Sequence, residues 1–163
     1  MLTAKNTGSD IVINSFEPKE ILYAFHDIDG THSLIRNWPP VMSICLYDVI
    51  KNGLPDDFDS KENEKRLIDE AGSRPLDETD RFCVESAGLS ALTQMEWAIR
   101  RAVEEGTVGV SCNSETNSEI IKRIWKGEER FEDFDETAEM SELIREKAPR
   151  LFKLYEAVLN GYC

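Results

Sequence analysis

No run of about 18 apolar residues occurs in this 163-residue chain, so no segment has the length and apolarity of a membrane-spanning helix. The first ten residues, Met-Leu-Thr-Ala-Lys-Asn-Thr-Gly-Ser-Asp, also lack the apolar stretch of a signal peptide. Histidine is scarce: there are only two, His26 and His32. Without a third ligand at helical spacing they make a weak zinc signal, and one is expected to pack while the other lines a cleft. The four cysteines, Cys45, Cys83, Cys112 and Cys163, show no C-x-x-C spacing and read as reduced thiols. These absences lead us to expect a soluble, cytoplasmic protein. Basic residues are outnumbered, 19 against 32 acidic ones, for a formal charge of −13. Such a surface repels phosphate backbones and anionic membranes, so neither nucleic acid nor a membrane is an expected partner. A small phosphorylated ligand stays open, because a bound divalent ion reverses the local potential.

With 40% apolar and 31% charged residues, the chain has the composition of a globular protein with one core and room for a second small lobe. Its character changes at Trp38-Pro39-Pro40. Before that point residues 11–16 and 21–26 read as strands; after it the pattern is helical. Helices are expected from Val41 to Asn52-Gly53, from an Asp59-x-x-Glu62 capping box to Ala71-Gly72, over Thr79 to Ala87, and from Ser90 to Glu105. In the last of these the stripe Leu92, Met95, Ile99, Ala102 and Val103 should face a core, leaving Arg100 and Arg101 in water. A Thr116-x-x-Glu119 box opens a further helix, with Trp125 inward and Gly127 closing it. Segment 128–137 reads as an exposed acidic link, and Pro149 should divide two final helices, 138–147 and 149–160. Trp38, Trp97 and Trp125 are expected mainly in core packing.

The segment that speaks of chemistry is 21–36, where the apolar run Ile21 to Phe25 stops at Asp27 and Asp29, followed at once by Gly30-Thr31. In open α/β sheets, reactive groups gather beyond the carboxyl ends of buried parallel strands. Two carboxylates held close in a water-poor cleft either share a proton or recruit a divalent cation. The plain alternative is an Asp-Gly turn at a strand end.

The string Asp27-Ile28-Asp29-Gly30-Thr31 after an apolar strand resembles motif I of the haloacid dehalogenase-like (HAD) superfamily of phosphatases and phosphomutases. The resemblance implies that Asp27 is the nucleophile, forming an aspartyl-phosphate, and that Asp29 is the general acid and base. It implies Mg²⁺ on the Asp27 side chain and the Asp29 backbone carbonyl, and a phosphate loop at Gly30 and Thr31. An acid at position 29 favours phosphate chemistry over carbon–halogen cleavage. The fold implied is α/β and helix-rich: a partial HAD-like Rossmannoid core in residues 1–36 and an α-helical cap over 37–163, with the rest of that core missing. The remaining groups of the family find only faint counterparts. Ser111, in Val108 to Asn113, stands for the phosphate-holding hydroxyl and Lys147 for the lysine, and no paired-acid motif follows. The expected activity is Mg²⁺-dependent hydrolysis of a small phosphate ester. The alternative is a non-catalytic acidic helical module that binds a partner. A shortened sheet would leave an apolar edge through which copies of the chain associate.

Overall fold

The computed structural model of the protein describes residues 3–6, 9–12 and 38–163. The chain divides into two units, Met1–Ile35 and Arg36–Cys163. Within the first, β1 (Thr3–Asn6) pairs antiparallel with β2 (Ser9–Val12), Thr3 opposite Val12 and Asn6 opposite Ser9.

The second unit is wholly helical among its elements: α1 (Trp38–Asn52), α2 (Lys61–Glu70), α3 (Asp77–Glu85), α4 (Ala91–Glu104), α5 (Ser114–Trp125) and α6 (Ala138–Tyr162). The α/β expectation, with a partial Rossmannoid core, is therefore corrected. A Rossmannoid core is built from parallel strands joined by crossovers. The only sheet among the described residues is a two-stranded antiparallel hairpin whose strands lie two residues apart in sequence, a connection too short for a parallel pair. Of the expected strand 11–16, Ile11 and Val12 fall in β2; residues 13–16 and the run at 21–26 lie outside the described residues.

Helix positions follow from local chemistry. Pro39 and Pro40 stand inside the first turn of α1 rather than before it, because first-turn N–H groups have no intrahelical acceptor to lose. Side-chain caps fix four other starts. Ser60 accepts from Asn63 N–H, Ser90 from Thr93, Asn113 from Glu115 and Thr116, and Thr137 from Met140. The true caps of α2 and α5 are thus Ser60 and Asn113, not Asp59 and Thr116. Pro149 does not divide the last helix; α6 runs through it, anchored on both sides by buried Ala148 and Leu151. After α1, Gly53 takes φ +74°, and a Cβ there would stand 2.5 Å from the Thr107 carbonyl oxygen, so only glycine fits where the α1 end meets the turn after α4.

Helix α1 is the central packing element, lying against α2, α3, α4 and α6, while α4 also meets α5 and α6 and α2 meets α6. The core draws on Val41, Cys45, Leu46, Phe82, Trp97, Ile99, Ile124, Leu151 and Val158, all fully buried. Phe82 stacks on Trp97 with centroids 3.7 Å apart, and Trp125 meets both edge-on. Two expectations for α4 are reversed: Leu92 is 48% exposed, and Arg100 is 2% exposed. The start of α1 and the end of α6 meet at the α2–α3 turn, since Pro40 Cβ and Tyr162 Oη both lie within 4 Å of where a Gly72 Cβ would stand. No described helix is long and apolar enough to cross a membrane.

Candidate functional site

Asp27, Asp29, Gly30 and Thr31, the residues expected to carry catalysis, Mg²⁺ and phosphate, lie outside the described residues, as do His26 and His32. Among the described residues, no group of three or more His, Cys, Asp or Glu is placed to hold a metal ion.

Ser111 and Lys147 do not form a shared phosphate site. Residues 108–113 are an irregular segment rather than a strand, and Ser111 is exposed. Its N–H donates to Glu139 Oε2 at 3.1 Å and its carbonyl accepts from Thr137 Oγ1 at 2.7 Å, which ties it to the first turn of α6. Lys147 stands eight residues further along that helix than Glu139, roughly 12 Å at 1.5 Å per residue, and pairs with Glu146 at 2.9 Å. A carboxylate already on the Ser111 N–H also opposes a phosphate there.

Three polar constellations are built into the helical unit. In the first, Asp48 of α1 accepts from Asn52 (2.6 Å), Asn63 (3.2 Å) and Arg66 (2.6 Å), so a nearly buried carboxylate is fully partnered and joins α1 to α2. In the second, Ser43 Oγ lies 2.8 Å from Thr79 Oγ1 and donates to Asp80 Oδ1, while Asp80 Oδ2 accepts the Leu76 N–H at 2.8 Å. Asp80 thereby caps α3, whose N-cap position, Leu76, has no side chain to do so. The third is the buried Arg100 guanidinium of α4. It meets Glu96 at 2.7 Å, Glu136 at 2.5 Å and Asn117 Oδ1 at 3.3 Å, and Asn117 returns a hydrogen bond to the Arg100 carbonyl. Sequence reasoning missed this set. Its one local signal is the i, i+4 pair Glu96–Arg100, which is common on solvated helix faces.

A concavity of about 450 Å³ lies at the foot of α1 and is lined by Pro39, Pro40, Arg74, Pro75, Asp80 and Val84. Val84 is 72% exposed at its rim, and the Arg74 guanidinium lies over the Tyr47 ring at 4.9 Å. The groove is mainly apolar, with Arg74 and Asp80 as its charged residues. Trp38 is half-buried and packs against the core, Trp97 is fully buried within it, and Trp125 donates its indole N–H to Glu85. The thiols divide by burial. Burial, with help from Asp48 and Cys83, pushes Cys45 far above the ordinary thiol range, and burial, with help from Asp80, raises Cys83 to about 12. Cys112 is half-buried and Cys163 exposed.

Comparison with known proteins finds no matching family model, no similar curated protein and no similar solved structure.

Proposed function

We propose that the chain serves hydrolysis of a small phosphate ester, with Asp27 as nucleophile and Asp29 as general acid and base. The single observation behind this reading is the spacing Asp27-x-Asp29-Gly30-Thr31 directly after an apolar run. It rests on that segment alone and invokes no parallel sheet. In the proposed reaction the Asp27 carboxylate attacks phosphorus while the ester P–O bond breaks, and Asp29 gives its proton to the departing oxygen. Water, deprotonated by Asp29, then attacks the aspartyl-phosphate, releasing inorganic phosphate and restoring Asp27. Mg²⁺ belongs to the proposal on the same resemblance, with Asp27 and Asp29 as the residues that would hold it. The expected outcome is phosphate release that chelation stops and Mg²⁺ restores, and that Asp27→Asn abolishes with helical circular dichroism intact. Unchanged turnover in that variant would sink the proposal.

The second reading is a binding module, favoured by the groove at the foot of α1 and by Val84 standing exposed at its edge. It expects no phosphate release at any Mg²⁺ concentration, and association that Val84→Glu weakens. Sedimentation showing a monomer across concentration, with or without that substitution, would count against it.

A further inference from the structure

The groove at the foot of α1 carries a hole and a knob side by side. Pro39, Pro40, Pro75 and Leu76 line the hole, while Val84, one of the two large apolar side chains exposed among the described residues, stands at its rim. The two charged residues of the groove are held in place without being neutralised. Arg74 is exposed, and the contact of its guanidinium with the Tyr47 ring is the one interaction its side chain makes among the described residues. Asp80 is exposed as well. Ser43 Oγ and the Leu76 N–H each occupy one site on its carboxylate, which leaves further acceptor sites free. Both residues line the groove, yet they form no ion pair with each other.

We propose that this face binds a second copy of the chain about a two-fold axis, with Val84 of each copy entering the groove of the other and Arg74 of each pairing with Asp80 of the other. The proposal rests on reading the groove as a binding surface, and it names the partner. A two-fold interface joins one patch to itself, so every group needs its complement within the same patch. This patch holds both complements: a knob beside a hole, and a cation beside an anion. A purely basic or purely acidic partner would match one charge and oppose the other. Little ordering is needed on contact, because the Tyr47 ring and the cap of α3 already hold the two side chains. The formal charge of −13 on each copy opposes association. At ~0.15 M salt that repulsion is screened beyond about 8 Å, while pairs in contact act inside that distance.

The test is sedimentation of the whole chain from about 1 to 300 µM in ~0.15 M NaCl, the span suited to a small, transient interface. A monomer–dimer equilibrium is expected. Arg74→Glu removes two cross-interface pairs at once and should raise the dissociation constant on the order of tenfold, and Val84→Glu should do at least as much. Both side chains are exposed, so helical circular dichroism should stay unchanged. Symmetry is read separately. In a chain carrying Cys112→Ser and Cys163→Ser, with Cys45 and Cys83 buried, Val84→Cys should let a short bismaleimide join two copies. Dimers that Val84→Glu weakens, but that ignore Arg74→Glu and give no cross-link, would leave the groove as a binding surface and overturn the two-fold arrangement. Dimers indifferent to both substitutions would place the contact elsewhere and overturn it too. A monomer at every concentration would overturn both the proposal and the reading it rests on.

Discussion

Arg100 shows how one residue's surroundings reverse a sequence expectation. Its place on α4 suggests a solvated flank, yet Asn117 of α5 and Glu136 beside α6 close over it. Removing one partner of a buried ion pair costs more than the pair contributes, because the other charge is stranded. Arg100→Ala should therefore destabilise the chain by about 3 kcal/mol, the low end of the range for such sites, since Glu96 and Glu136 retain some contact with water. Urea unfolding followed by circular dichroism measures this; a loss below about 1 kcal/mol, the scale of an exposed pair, would refute the assignment. The thiols give a second residue-scale expectation. With Cys45 and Cys83 buried and their thiolates disfavoured, only Cys112 and Cys163 should react with a thiol reagent in the native state near pH 8, and all four after denaturation. Rapid labelling of Cys83 in the folded chain would contradict the packing of α3 on α1.

At the scale of elements, the helices were readable because their signals are local. Ser90 opens α4, Gly53 follows α1 and Gly127 follows α5 as the sequence suggests, and the period of Met95, Ile99 and Ala102 marks the buried face. The misreadings arise where tertiary contacts decide. Asp59, expected to cap α2, instead accepts from Arg150 of α6 at 2.6 Å, and Ser60 takes the cap. Arg150 holds the Asp59 carboxyl below the ordinary aspartate range through that hydrogen bond. A lowered folded-state value means the contribution is present above the ordinary range and is lost as pH falls through the folded value. Arg150→Gln should therefore be less stable than the parent at pH 7, and the difference should vanish in acid below that range. A difference constant with pH would contradict the pairing. Proline lacks an N–H, so the sequence leads one to expect a break at Pro149. Packing of Ala148 and Leu151 overrides that cost, and Pro149 itself is exposed. Pro149→Ala, which restores the donor, should raise stability by about 1–3 kcal/mol in the same unfolding measurement; a lower midpoint would show that the ring itself is needed.

For the whole molecule, the α/β expectation failed because it extended a local strand signal at 21–26 to a parallel sheet. The pairing of strands is a long-range property that no short window contains. The helical unit Arg36–Cys163 holds a continuous apolar core of its own. A fragment of these residues should unfold cooperatively with helical circular dichroism; a gradual, non-cooperative melt would contradict that core. Of the candidate site, the aspartate pair and the chemistry proposed for it are a reading of the sequence and lie outside the described residues, while the Arg100 cluster depends on contacts between distant segments. The most direct test of the central claim is to trap the covalent intermediate. The chain is mixed with small phosphate monoesters and Mg²⁺, quenched with borohydride, and mapped by mass spectrometry. The account predicts an acyl-phosphate at Asp27, recovered as its reduced alcohol and missing in Asp27→Asn. Phosphate release with Asp27 unmodified, or a trapped phosphate on another residue, would contradict it.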